Sequence, residues 1–128
     1  MAISQDTAYN FGQLGSAFND GVAAMAPPTG KVFVAITMLE NTTFDTSAGL
    51  VADNDDSNGL EYIGTIFARD VDGTANDAAH DESASTTALG SGGVVVDVNN
   101  TFPKGVTIYG RWTSINPASG SFIAYIGN

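Results

Sequence analysis

The chain has no cysteine, which excludes disulfides, a thiol nucleophile and a thiolate metal site. Cations are scarce too: four Lys or Arg stand against fourteen Asp or Glu, a formal net charge of −10. Displacing counterions from phosphates takes a clustered basic patch, so no direct binding of nucleic acid is expected. There is no apolar run of about 18 residues, so no transmembrane helix and no membrane partner is expected. The opening Met1-Ala-Ile-Ser-Gln-Asp6 has neither a basic region nor an apolar core. No secretory signal is expected from it. Without staples, stability must come from packing or from partners.

What is present is apolar and turn-rich. Hydrophobic residues make up 43% of 128 residues, and fifteen glycines punctuate them. That length suits one domain with a proper core. Charge is distributed unevenly. Residues 1–39 carry Asp6, Asp20 and Lys31, a net of −1. Residues 40–97 hold twelve acids and only Arg69, a net of −11. Residues 98–128 hold no acid, with Lys104 and Arg111, a net of +2. The middle reads as solvated, and the acid-free end as buried or docked.

Along the chain, residues 1–16 show no period and read as an extended N-terminal arm, loose or ordered by a neighbour. A single β domain over 17–128 follows. Phe18, Val22 and Met25 fall at helical spacing, with Pro27-Pro28 as a stop, so 17–26 is either a short helix or irregular. Pro27-Pro-Thr-Gly-Lys31 is a turn. Val32-Phe-Val-Ala-Ile-Thr-Met-Leu39 is β-branched and continuous, as in a strand covered on both faces. Gly30-Lys31 is no phosphate loop, because Met25 and Val32 occupy the places that need Gly and Ser or Thr.

Residues 40–49 form a loop or short edge strand, and Leu50-Val51-Ala52 a brief strand. Leu60 to Ala68 reads as a strand in which Gly64 marks a bulge or a close approach. Residues 74–93 form a long acidic and polar loop, with room for a helical turn near 75–79; loops of this length are usually functional or mobile. Val94 to Val98 is a further strand and Asn99 to Lys104 a turn. Five to seven strands with almost no helix predict an all-β fold, an antiparallel sandwich or barrel.

The C-terminal stretch organises the rest. Val106, Ile108 and Trp112 alternate with Thr107, Tyr109, Arg111 and Thr113, the period of a half-buried strand. Asn116-Pro-Ala-Ser-Gly120 reads as a hairpin loop, with Pro117 at its second position and a positive φ at Gly120. Pairing Ile115 with Ser121 would set Trp112 opposite Ala124, Arg111 opposite Tyr125 and Tyr109 opposite Gly127. Phe122, Ala124 and Ile126 would share the face of Trp112, with Ile123 and Tyr125 on the other. That second face meets another subunit or is sandwiched inside the domain. In the first case Tyr109, Arg111, Ile123 and Tyr125 are the interface candidates.

Candidate chemistry is thin. Asn54, Asp56 and Asn58, followed by Gly59, resemble the opening half of a calcium loop, which wants hard oxygens at alternate positions. The closing Glu is missing, since Thr65 stands there, and turn chemistry explains the residues better. His80 has Asp77, Asp81 and Ser83 near it in sequence, but a triad is assembled across a fold. Glu40 and Glu61 are the least poor candidates for acid–base work, and a solvated face accounts for them. Tyr109, Trp112 and Tyr125 could stack a sugar, although such rings more often anchor cores and interfaces. No catalytic residue, metal or cofactor is expected, and the chain does not read as an enzyme.

Phe102-Pro-Lys-Gly-Val-Thr-Ile-Tyr-Gly-Arg-Trp-Thr-Ser114 and Gly120-Ser-Phe-Ile-Ala-Tyr-Ile-Gly127 resemble the C-terminal end of small virion structural proteins of tailed bacteriophages, cyanophages included. Gly30 to Phe44 is similar to the region where such proteins begin their β domain. The resemblance covers roughly a third of the chain and carries no catalytic signature. It implies a virion location, most closely that of a capsid decoration or cement protein on the outer capsid surface. The implied partners are the major capsid protein and copies of itself, as a homotrimer. A tail, neck or fibre component is the alternative within the particle. A carbohydrate- or calcium-binding β module is the alternative outside it, and a hydrolase using Glu40 or Asp residues comes last.

Overall fold

The computed structural model describes residues 14–53, 62–65 and 96–128. Within them the chain is all-β, and every strand pairing is antiparallel. The strands are β1 (Ser16–Asn19), β2 (Val32–Met38), β3 (Thr43–Phe44), β4 (Leu50–Ala52), β5 (Thr107–Ile115), β6 (Pro117–Ser119) and β7 (Phe122–Gly127). Five of them form one sheet in the order β1-β7-β2-β5-β4, and β3 pairs with β6 in a second. The large sheet ends at β1 and β4, so the described strands do not close a barrel.

β2 takes the central place because it is apolar on both sides, as its uninterrupted β-branched run predicts. Its position overturns the expected C-terminal hairpin. β2 lies between β5 and β7 and pairs with both, with Phe33 opposite Trp112 on one side and Ile126 on the other. Since β5 and β7 each run antiparallel to β2, they run parallel to one another. A tight turn cannot join parallel strands. The residues read as a hairpin loop instead form β6, which carries the chain back along the second sheet. Buried Pro117 is the first residue of that strand, a place where its missing N–H does little harm.

Two further expectations change. Residues 17–26 form no helix. Ser16 to Asn19 pair with β7 instead, and Met25 exchanges backbone hydrogen bonds with Ile115 (2.8 and 2.9 Å). Tertiary pairing overrides a helical spacing that contains Gly21. The sheet also reaches further back than the predicted arm boundary, since Ser16 is in β1 and the Gly15 carbonyl accepts from the Ile126 N–H. The rest of the predicted arm, residues 1–13, lies outside the described residues. So do most of the expected strand over 60–68, the loop over 74–93, and Val94 and Val95.

The core lies between the two sheets. Phe33, Ile36, Met38, Phe44, Leu50, Trp112, Ile115 and Phe122 are fully buried. Each is worth about 1.5–3 kcal/mol relative to exposure. The Phe44 ring meets Phe102 edge-on at 5.6 Å, and its contact with Phe122 at 5.9 Å ties the small sheet to the large one. Register shifts curve the large sheet. From Phe33 to Ala35, β2 advances two residues, β5 three (Tyr109 to Trp112) and β7 one (Tyr125 to Ile126). Extra residues of this kind bend a strand and raise its twist.

The bend lays the Trp112 indole over Gly110. A Cβ on Gly110 would lie 2.6 Å from the ring's Cζ2. Gly110→Ala is therefore expected to cost about 1–3 kcal/mol by overpacking. Denaturant melts would measure it, and the loss should shrink when Trp112 is replaced by Leu.

Candidate functional site

Residues opposite one another in an antiparallel sheet share a face, so the register assigns every side chain. Phe122, Ala124, Ile126, Phe33, Ile36, Met38 and Trp112 point to the core. The other face of the sheet carries two rows. One runs Phe18, Ile123, Thr37, Thr107 across β1, β7, β2 and β5. The next runs Ser16, Tyr125, Ala35, Tyr109. None of these eight residues is charged.

This outer face is uncharged and largely apolar. Phe18 is 63% exposed and Tyr109 67%. Ile123 and Tyr125 are half-buried among their neighbours. Ala35, between the two tyrosines in register, is buried although no described strand lies over it. Thr37 Oγ1 and Thr107 Oγ1 are 2.8 Å apart, a cross-strand hydrogen bond that holds β2 to β5 on this side.

Three of the four predicted interface residues, Tyr109, Ile123 and Tyr125, share this face as expected. Arg111 does not join them. Its place beside Tyr125 depended on a β5–β7 pairing that β2 prevents. Arg111 Nη2 instead bridges to Asp53 Oδ2 at 3.1 Å, its Nε donates to the same oxygen at 3.3 Å, and Nη1 donates to the Asn128 carbonyl at 2.7 Å. Lys31 Nζ donates to Asn128 Oδ1 at 2.6 Å. This corner ties the end of β4 to β5 and to the residue after β7. With side chains 33% and 43% exposed, the ion pair is worth about 0–1 kcal/mol.

Trp112 likewise leaves the proposed sugar-stacking set. It is fully buried, with its indole N–H donating to the Ile63 carbonyl at 2.8 Å. Among the described residues, no group of three or more His, Cys, Asp or Glu could hold a metal ion. Asn54, Asp56, Asn58, Glu61, Asp77, His80, Asp81 and Ser83 all lie outside the described residues. Glu40 is exposed on the turn after β2.

Ser16, Phe18, Ala35 and Thr37 are members of the face that sequence reasoning missed. Phe18 was hidden because four residues of alternation beside Gly21 are too short to read as a strand. Its place became visible only once β1 paired with β7. Comparison with protein-family models, curated proteins and solved structures gives no match.

Proposed function

We propose that this chain is a structural protein of a phage particle that attaches to the outside of the shell and stabilises it through subunit contacts. One observation carries the reading: the outer face of the large sheet presents Phe18, Tyr109, Ile123 and Tyr125 with no charged residue among its eight positions. In a chain of net charge −10, such a face fits a contact surface better than a water-facing one. Aromatic rings flanked by small polar residues suit that role, because they bury large areas at low entropic cost. The resemblance of Phe102–Ser114 and Gly120–Gly127 to tailed-phage virion proteins supports the particle as the setting. The acids concentrated in residues 40–97 suit an outward position, away from packaged DNA.

Immunogold electron microscopy of the source particles tests the location. Label spread over the head supports decoration, label at one vertex moves the protein to the tail or neck, and unlabelled particles overturn the reading. The contact face is tested by adding purified chain to shells lacking it. Tyr109→Asp is expected to weaken attachment at least tenfold, about 1.4 kcal/mol. Its melting should be unchanged, because the ring is 67% exposed. Unaltered attachment would remove the outer face from the account.

A further inference from the structure

Among the described residues, the two edges of the large sheet differ. The β4 edge is guarded, since the Thr65 N–H donates to the Leu50 carbonyl at 3.0 Å. The β1 edge is open. Ser16 is opposite Tyr125, and the Ile126 N–H donates to the Gly15 carbonyl at 2.9 Å. In an antiparallel ladder this makes Ser16 and Tyr125 a non-hydrogen-bonded pair. Ala17 and Ala124 then exchange the next bonds, and the N–H and C=O groups of Ser16 and Phe18 point away from β7. No described residue pairs with them. β1 also lacks the Lys, Pro and inward charge with which natural edges block further pairing.

We propose that β1 pairs antiparallel with β1 of a second copy across a two-fold axis at Ala17. Outward-facing residues must pair with outward-facing residues, which leaves three symmetric registers. With the axis at Phe18, the two bulky rings would oppose each other and Ser16 would meet Asp20 beyond the strand. With the axis at Ser16, the strand would meet residues that precede β1. With the axis at Ala17, the whole strand is used. Phe18 lies opposite Ser16 of the other copy, large against small, and the two alanines meet at the axis. About four interstrand hydrogen bonds form.

This register also joins the outer faces. The row Phe18–Ile123–Thr37–Thr107 of one copy continues into the row Ser16–Tyr125–Ala35–Tyr109 of the other. Phe18, 63% exposed in one chain, gains the second copy's Ser16 as its direct neighbour, with that copy's Tyr125 next in the row. Charge does not oppose the contact. Asp20 of one copy falls opposite Leu14 of the other, so the two aspartates lie about 20 Å apart along the strands. That exceeds the screening length of about 8 Å at physiological salt. The association is two-fold, in place of the trimer that the resemblance implies, and it does not depend on where the protein sits in a particle.

The absence of cysteine makes the test direct. At the axis the two Cα atoms of residue 17 lie about 4.5 Å apart, as in a non-hydrogen-bonded pair. That lies within disulfide range, which starts near 4.4 Å. On mild oxidation Ala17→Cys should cross-link to covalent dimers, whereas Ser16→Cys, two registers from its own copy, should not. Sedimentation equilibrium of the unaltered chain should show a monomer–dimer equilibrium. Ser16→Pro deletes an outward N–H without touching the β7 ladder, and should raise the dimer dissociation constant at least tenfold while circular dichroism stays unchanged. A chain that stays monomeric at all concentrations or sediments as a trimer would overturn the proposal, as would equal cross-linking of the two cysteine variants or a dimer indifferent to Ser16→Pro.

Discussion

Replacing Trp112 with alanine is expected to cost about 3–5 kcal/mol, the range for truncating a large buried aromatic. Trp112 is fully buried at the point where β5 pairs with both β2 and β4. Its removal would leave a cavity bordered by paired backbone that cannot collapse into it. It would also leave the Ile63 carbonyl without the 2.8 Å donor that holds residues 62–65 beside the sheet. An unpaired buried carbonyl adds about 1–3 kcal/mol unless water reaches it. Trp112→Phe divides the two effects, since it keeps most of the ring volume and loses only the donor. Urea titration of the three proteins measures both. A loss under about 1 kcal/mol for the alanine variant would mean that the ring contributes little burial.

Gly120→Ala is expected to cost about 2–4 kcal/mol, from backbone strain and crowding together. Gly120 sits at φ +98° between β6 and β7, and a Cβ there would come within 2.6 Å of the Asn41 carbonyl oxygen and 2.7 Å of Thr42 Cα. Those atoms belong to the backbone leading into β3, so they cannot rotate away. Thr42 is itself fixed, buried with its hydroxyl donating to the Glu40 carbonyl at 2.8 Å. Gly30 supplies the control. Its φ is +81°, but nothing lies within 4 Å of a Cβ placed there. Gly30→Ala should therefore show the conformational cost alone, about 1 kcal/mol. Thermal melts of the two variants separate strain from close packing. Equal losses would mean that the segment carrying Asn41 and Thr42 yields.

The resulting architecture places the chain's apolar surplus on two sides of one sheet. The inner side is consumed by Phe44, Trp112 and their neighbours. The outer side has no described element over it, and the β1 edge, unpaired among the described residues, adjoins the same patch at Phe18. A contact face and a pairing edge that share a residue would act together. On the two proposals above, shell attachment and association of copies would both involve Phe18, and a substitution there should disturb both.

Four strands, β2, β4, β5 and β7, were legible because their signals are local. Leu50–Ala52 was read with the bounds the fold shows, and the largely apolar run of β2 takes the sheet's centre. Alternation in β5 and β7 was enough to send Trp112, Phe122, Ala124 and Ile126 inward and Ile123 and Tyr125 outward. Gly64 and Gly120 were legible as places needing close approach or a positive φ, and both are so used. The count of strand-like segments set the all-β class, and the lack of cysteine excluded a disulfide staple.

Strand order was not legible, because it depends on contacts between residues far apart in sequence. Side-chain alternation says which residues share a face but not which strand lies alongside. Nothing in residues 105–127 reveals that Val32–Met38 will come between β5 and β7. That insertion turned a hairpin loop into β6, moved Arg111 from Tyr125 to Asp53, and brought Phe18 onto the outer face. The faces were decided by local period, a property of neighbouring residues. The neighbours were decided by contacts distant in sequence, which place β5 and β7 on the two edges of β2 and satisfy its backbone there.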